Sequence, residues 1–167
     1  MSKKSTQERK IDTYFNYYSD KYPKPIDRII GGICAIVTYF SLLGLSWSLP
    51  FPYLHFLGQY NSYFNWASFV IAFSIYYYSR LSPVLSYVML FLALLSTYFI
   101  TILEKQLNNR LLMFEMFFLI LIVCFLVRYL MDKIAGKSST LKMELLFILI
   151  GPVWSFHFLL KKLNISY

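Results

Sequence analysis

Long apolar runs alternate with short polar, aromatic or proline-bearing breaks along this chain, and the lengths of the runs carry the first inference. Ile29–Leu49, Val84–Leu103 and Leu111–Val127 are long apolar stretches, the first two without a single charge. A helix rises about 1.5 Å per residue, so about 20 residues cover the roughly 30 Å hydrocarbon core of a bilayer. The pattern predicts membrane-spanning helices.

Five segments can be drawn. The first, about Ile29–Leu49, is stopped by "LPFP", whose prolines cannot continue a helix. A polar aromatic loop, "YLHFLGQYNSYFN", follows it. The second, about Trp66–Tyr78, is short for a span unless its aromatic ends sit in the interface. Ser82 and Pro83 in "SRLSP" suit the start of a third helix, about Pro83–Leu103. "EKQLNNR" leads to a fourth, about Leu111–Met131. After "DKIAGKSSTLK" comes Leu145–Leu160, interrupted by Gly151-Pro152. A proline in mid-helix frees a carbonyl, which in lipid must find a partner elsewhere. The last segment is therefore either kinked or re-entrant. The expected fold is an all-α membrane bundle of about five hydrophobic helices over 29–167, preceded by a polar segment, 1–28.

Composition sharpens this picture. Hydrophobic residues make up 58% of the chain and charged ones 14%, where a soluble domain carries about a quarter charged. The formal net charge of +8 raises the question of nucleic acid. However, seven of the 16 Lys and Arg precede Ile29, interleaved with Glu8, Asp12, Asp20 and Asp27. Basic residues flanking apolar helices set topology or touch anionic headgroups, and no recognition motif accompanies them. The expected partners are membrane lipids, not nucleic acid. With the N-terminus cytoplasmic, twelve Lys and Arg fall inside against Lys105 and Arg110 outside, with Lys161 and Lys162 unassigned. That orientation is expected for a multi-pass protein of a bacterial inner membrane or, in a eukaryote, the endoplasmic reticulum. "MSKKSTQERKIDTYF" has no early apolar region, so no cleaved signal is expected.

Candidate chemistry is sparse. There is no glycine-rich phosphate or dinucleotide loop, no GxSxG and no histidine pair at metal-binding spacing. Cys34 and Cys124 form no CxxC and read as packing residues. His55 reads as interfacial, whereas His157 lies in the last apolar stretch, where ionisable groups face the protein interior. Glu115 reads as a carboxylate near a helix N-terminus, and Arg128 as a side chain snorkelling to the interface. The 34 aromatic residues, including "YYY" at 76–78, read mainly as an interfacial belt.

From about Tyr14 to Tyr167 the chain resembles the membrane-embedded iron(II)-dependent 2-hydroxy fatty acid dioxygenases, a family comprising the fungal enzyme of fatty-acid alpha-oxidation and bacterial relatives. The carriers are "GLSWSLPFP" (44–52), "YYYSRLSP" (76–83) and "LLFILIGPVW" (145–154), in the family's order and spacing. The resemblance implies a site that shortens a 2-hydroxy acyl chain by one carbon, built from two motifs. One is a His, an Asn five residues later and a His four residues after that. The other is Gly-His followed three residues on by Glu. In this chain Tyr22 stands at the first His position, Asp27 at the Asn position and Gly31 at the second His position. Asp132 stands at the third His position and Ala135 at the Glu position, while Gly136, Glu144, Gly151, Pro152 and Trp154 match the surrounding pattern.

The resemblance thus implies a relative without the family's ligands and with no cofactor, its role structural or lipid-binding, for example toward a long-chain fatty acid. Two other readings stay open. One is an active iron(II) dioxygenase with a rearranged site. Asp20, Asp27 and Asp132 are a candidate oxygen-donor cluster, although such donors suit Mg, Mn or Ca better than iron(II). The other is a small transporter or assembly partner.

Overall fold

A computed structural model describes Asn16, Ser19, Asp20, Tyr22, residues 24–55, Gly58, and residues 64–134 and 147–156. These residues form an all-α structure. Its helices are α1 (Pro25–Ser48), α2 (Trp66–Leu81), α3 (Pro83–Leu107), α4 (Arg110–Ile134) and the short α5 (Phe147–Phe156). Three of them, α1, α3 and α4, are long and apolar enough to cross a membrane. The chain is a multi-pass helical membrane protein. At 16 residues, α2 reaches only about 24 Å.

Local chemistry sets the helix ends. Pro25 and Pro83 open α1 and α3, where a fixed φ is already helical and a missing N–H costs nothing. Asn65 and Ser68 form a capping box at the start of α2, with Asn65 Oδ1 accepting from the Ser68 amide at 3.0 Å. Asn108, at φ 46°, ends α3 in the left-handed region. Its neighbour Asn109 accepts from the Leu111 amide at 3.0 Å and so starts α4. Helix α3 therefore runs past the end of its apolar stretch to include Glu104 and Lys105, because the turn residue, not hydrophobicity, stops it.

Helix α1 packs along α4 in the antiparallel sense. Phe40 meets Phe117 edge-on at 5.4 Å, and a methyl group on Gly44 would strike the fully buried Phe117 ring. Toward the start of α1, Cys34 neighbours Cys124 and Arg128 of α4. Helices α2 and α3 form an antiparallel hairpin that leans on α1. Side chains such as Phe91, Leu94, Leu119 and Leu126 remain exposed, as expected where lipid rather than water is the solvent.

Helix α5 is the buried wedge of the bundle: Phe147, Ile150, Val153 and Trp154 are fully enclosed. Gly151 lies against Ala35, Trp154 near Gly31, and Ser155 Oγ stands 3.1 Å from the Gly32 carbonyl. These pairings make α5 antiparallel to α1, hence parallel to α4. A fifth span following α4 directly would run opposite to it, so α5 does not have the direction of such a span. The helix continues through Gly151-Pro152 without a break. Close contact with Ala35 explains the glycine, since an added Cβ there would approach the alanine methyl to 2.9 Å.

Candidate functional site

The elements that α5 joins are the start of α1, the end of α2 and the end of α4, and Tyr22, Gly31 and Asp132 lie there. The segment before α1 folds back over it. Arg28, in the first turn of α1, donates from Nε to the Tyr22 carbonyl at 2.7 Å and from Nη2 toward the Ser19 carbonyl at 3.5 Å. This brings the Tyr22 ring over Gly31. A methyl group at Gly31 would lie 3.6 Å from that ring and 3.8 Å from Trp154. Tyr22 and Trp154 in turn pack with centroids 5.8 Å apart, and Tyr22 is only 3% exposed. A glycine and two large rings thus share one volume.

On α4, Arg128 and Asp132 lie one turn apart on the same helix face, and both are buried. The Arg128 guanidinium stands 3.3 Å from the Phe147 ring centroid, a cation–π contact inside the bundle. The expectation that Arg128 snorkels to the interface is therefore corrected: α5 covers it. The belt reading of "YYY" is corrected in part as well. Tyr76 is exposed, but Tyr78 is 1% exposed and donates its hydroxyl to the Leu149 carbonyl of α5.

Of the sequence-selected positions, Tyr22 and Gly31 are in contact, and Asp132 lies at the same end of the bundle. Asp27 is half-buried and Asp20 exposed. Among the described residues no three His, Cys, Asp or Glu side chains gather in a group that could hold a metal ion, so Asp20, Asp27 and Asp132 are not assembled as one. Ala135, Gly136, Glu144 and His157 lie outside the described residues. Glu115 is exposed near the start of α4. His55 is exposed too, its ring edge-on to Tyr53 at 5.3 Å. Both cysteines are buried and free.

These residues do not fit an imidazole and carboxylate iron centre. Gly31 and Ala135 have no donor atom, Tyr22 and Asp132 offer a phenol and one carboxylate, and the space above Gly31 is filled by rings. Sequence reasoning missed Glu104, which accepts a hydrogen bond from Trp47 Nε1 at 2.9 Å and ties α3 to α1 at the opposite end of the bundle. Its position just past an apolar run was the available signal. Comparison with known protein families, with curated proteins and with solved structures finds no match to this chain.

Proposed function

We propose that this chain is a non-catalytic relative of the 2-hydroxy fatty acid dioxygenases, in which the former ligand region has become a packing joint with a structural or lipid-binding role. One observation supports the reading above others: the Tyr22 ring occupies the space over Gly31 and packs at a tilt against Trp154. The two substitutions compensate in volume, a large ring arriving where a side chain has been lost. An apolar groove of about 410 Å³ between α1 and α5, lined by Ile29, Ile33 and Ile36 with Arg28 at its edge, is suited to an acyl chain.

The test is metal analysis of detergent-purified protein beside a variant carrying Tyr22→His, Gly31→His, Asp132→His and Ala135→Glu. The natural chain is expected to carry no stoichiometric iron and to leave 2-hydroxy fatty acids unchanged under dioxygen. One iron per natural chain, or turnover that iron chelation abolishes, overturns the proposal. Neither a rearranged carboxylate site nor a transport path has an observation in its favour among the described residues.

A further inference from the structure

At the other end of the bundle the end of α1, the start of α2, the end of α3 and the start of α4 enclose a cleft of about 370 Å³. Trp47, Phe51, Tyr53 and Phe64 supply aromatic walls, while Glu104 and Arg110 supply one charge of each sign. We propose that this cleft binds the headgroup of a phospholipid bearing a primary ammonium, of the phosphatidylethanolamine type. The ammonium is held by Glu104 and the aromatic walls, and the phosphate by Arg110.

Among the described residues both charged side chains have capacity to spare. A carboxylate offers about four acceptor sites. Among the described residues Glu104 uses one, for the Trp47 indole N–H, which also fixes its orientation. Arg110 makes no ion pair or side-chain hydrogen bond among the described residues, although its guanidinium has five donors suited to phosphate. The two residues also border an adjoining hollow of about 260 Å³ beside Asn108 and Asn109. They therefore face a common space from either side of the α3–α4 turn. The amides at the start of α4 are not the anion site, because Asn109 already accepts from Leu111.

Depth and chemistry choose the occupant. The cleft lies where three membrane-crossing helices end, at headgroup level, so its most concentrated neighbour is lipid. A primary ammonium donates hydrogen bonds to Glu104, which a quaternary choline cannot do. A lipid with a net negative headgroup would bring its phosphate to Arg110 but meet Glu104 as a like charge. Aromatic faces add cation–π attraction for the ammonium.

The full chain is reconstituted in nanodiscs and in detergent, and bound lipid is counted by native mass spectrometry against phosphatidylethanolamine, phosphatidylcholine and phosphatidylglycerol of matched acyl chains. The natural protein is expected to retain the ethanolamine lipid selectively. Glu104→Gln and Arg110→Gln should each weaken that retention about tenfold, the scale of one charge-assisted hydrogen bond. The amide oxygen that Glu104→Gln introduces can still accept from Trp47, so a melting curve separates loss of binding from loss of fold. Equal retention of all three lipids by the natural chain overturns the proposal without any variant. Unchanged retention in Glu104→Gln, or a preference for phosphatidylglycerol lost only in Arg110→Gln, overturns the ammonium assignment. Displacement by soluble phosphoethanolamine at concentrations equal to the lipid's would make the ligand a free metabolite and refute the lipid source.

Discussion

Tyr22 and Gly31 can be tested as a pair because the geometry predicts opposite outcomes for small and large side chains at position 31. A methyl group there meets ring carbons of Tyr22 at 3.6 and 3.7 Å and Trp154 at 3.8 Å, which is ordinary contact. Gly31→Ala should therefore be neutral or gain up to about 1 kcal/mol, since alanine is the better helix former within α1. Gly31→His adds a whole ring beyond a Cβ that already stands at van der Waals distance from Tyr22 and Trp154, so it should overpack the site. Overpacking of this kind costs about 1–3 kcal/mol. Tyr22→Ala should cost about 3 kcal/mol as a large buried ring is deleted. In the double variant the imidazole fills the space the phenol leaves, so the total should fall about 1–2 kcal/mol short of the sum. The assay is denaturation in mixed detergent–dodecyl sulfate micelles, followed by circular dichroism. If the cycle closes to within about 0.5 kcal/mol, the two positions do not compete for one volume and the packing joint is wrong.

Three further outcomes follow from individual contacts. Gly44→Ala should destabilise the α1–α4 packing by about 1–3 kcal/mol, because its methyl strikes the Phe117 ring, and Phe117→Leu should recover much of the loss in the same assay. Tyr78→Phe removes the hydroxyl that reaches the Leu149 carbonyl, at a cost of about 0.5–1.5 kcal/mol, and amide exchange should quicken in α5 before it does in α3. Asn65→Ala removes the side-chain acceptor of the capping box while leaving the residue-65 amide free to donate to Ser68, and a loss of about 1 kcal/mol should appear as earlier exchange at the start of α2 while α4 is unaffected.

Element positions were legible in the sequence because apolar length and turn chemistry are local. The segments drawn at Trp66 and Pro83 begin where α2 and α3 begin, since Asn65 and the Ser82-Pro83 pair announce those starts. The resemblance directed attention to Tyr22 and Gly31, but their contact depends on Arg28 folding the chain back, a tertiary bond that no spacing rule reveals. Arg128 and Tyr78 were misjudged for a related reason. Periodicity shows which face of a helix a side chain occupies. It does not show that a separate short helix will cover that face, and α5 covers both. The direction of α5 was equally hidden, because Gly151-Pro152 is compatible with a kinked span until Ala35, Gly32 and Gly31 are seen to pair with Gly151, Ser155 and Trp154 in antiparallel order.

The two ends of the bundle can be interrogated separately, and that separation gives the experiments their force. Gly31 and Trp47 lie sixteen residues apart on α1, about 24 Å along the helix axis. Substitutions so far apart with no shared partner add within a few tenths of a kcal/mol. A variant that loosens Tyr22 against Trp154 should therefore leave the hydrogen bond from Trp47 to Glu104, and the lipid preference proposed for it, intact. Loss of Glu104 should likewise leave the Tyr22–Gly31 cycle unchanged. The same reasoning predicts where a small molecule can enter. At the Gly31 end, aromatic rings and the Arg128–Phe147 contact fill the bundle among the described residues, and a groove opens on its outer side beside Ile33. At the Glu104 end, the described residues leave an aromatic cleft between opposite charges, with polar capacity that their own packing does not consume. The proposed headgroup selectivity therefore lies at the end of the bundle away from Tyr22, Gly31 and Asp132.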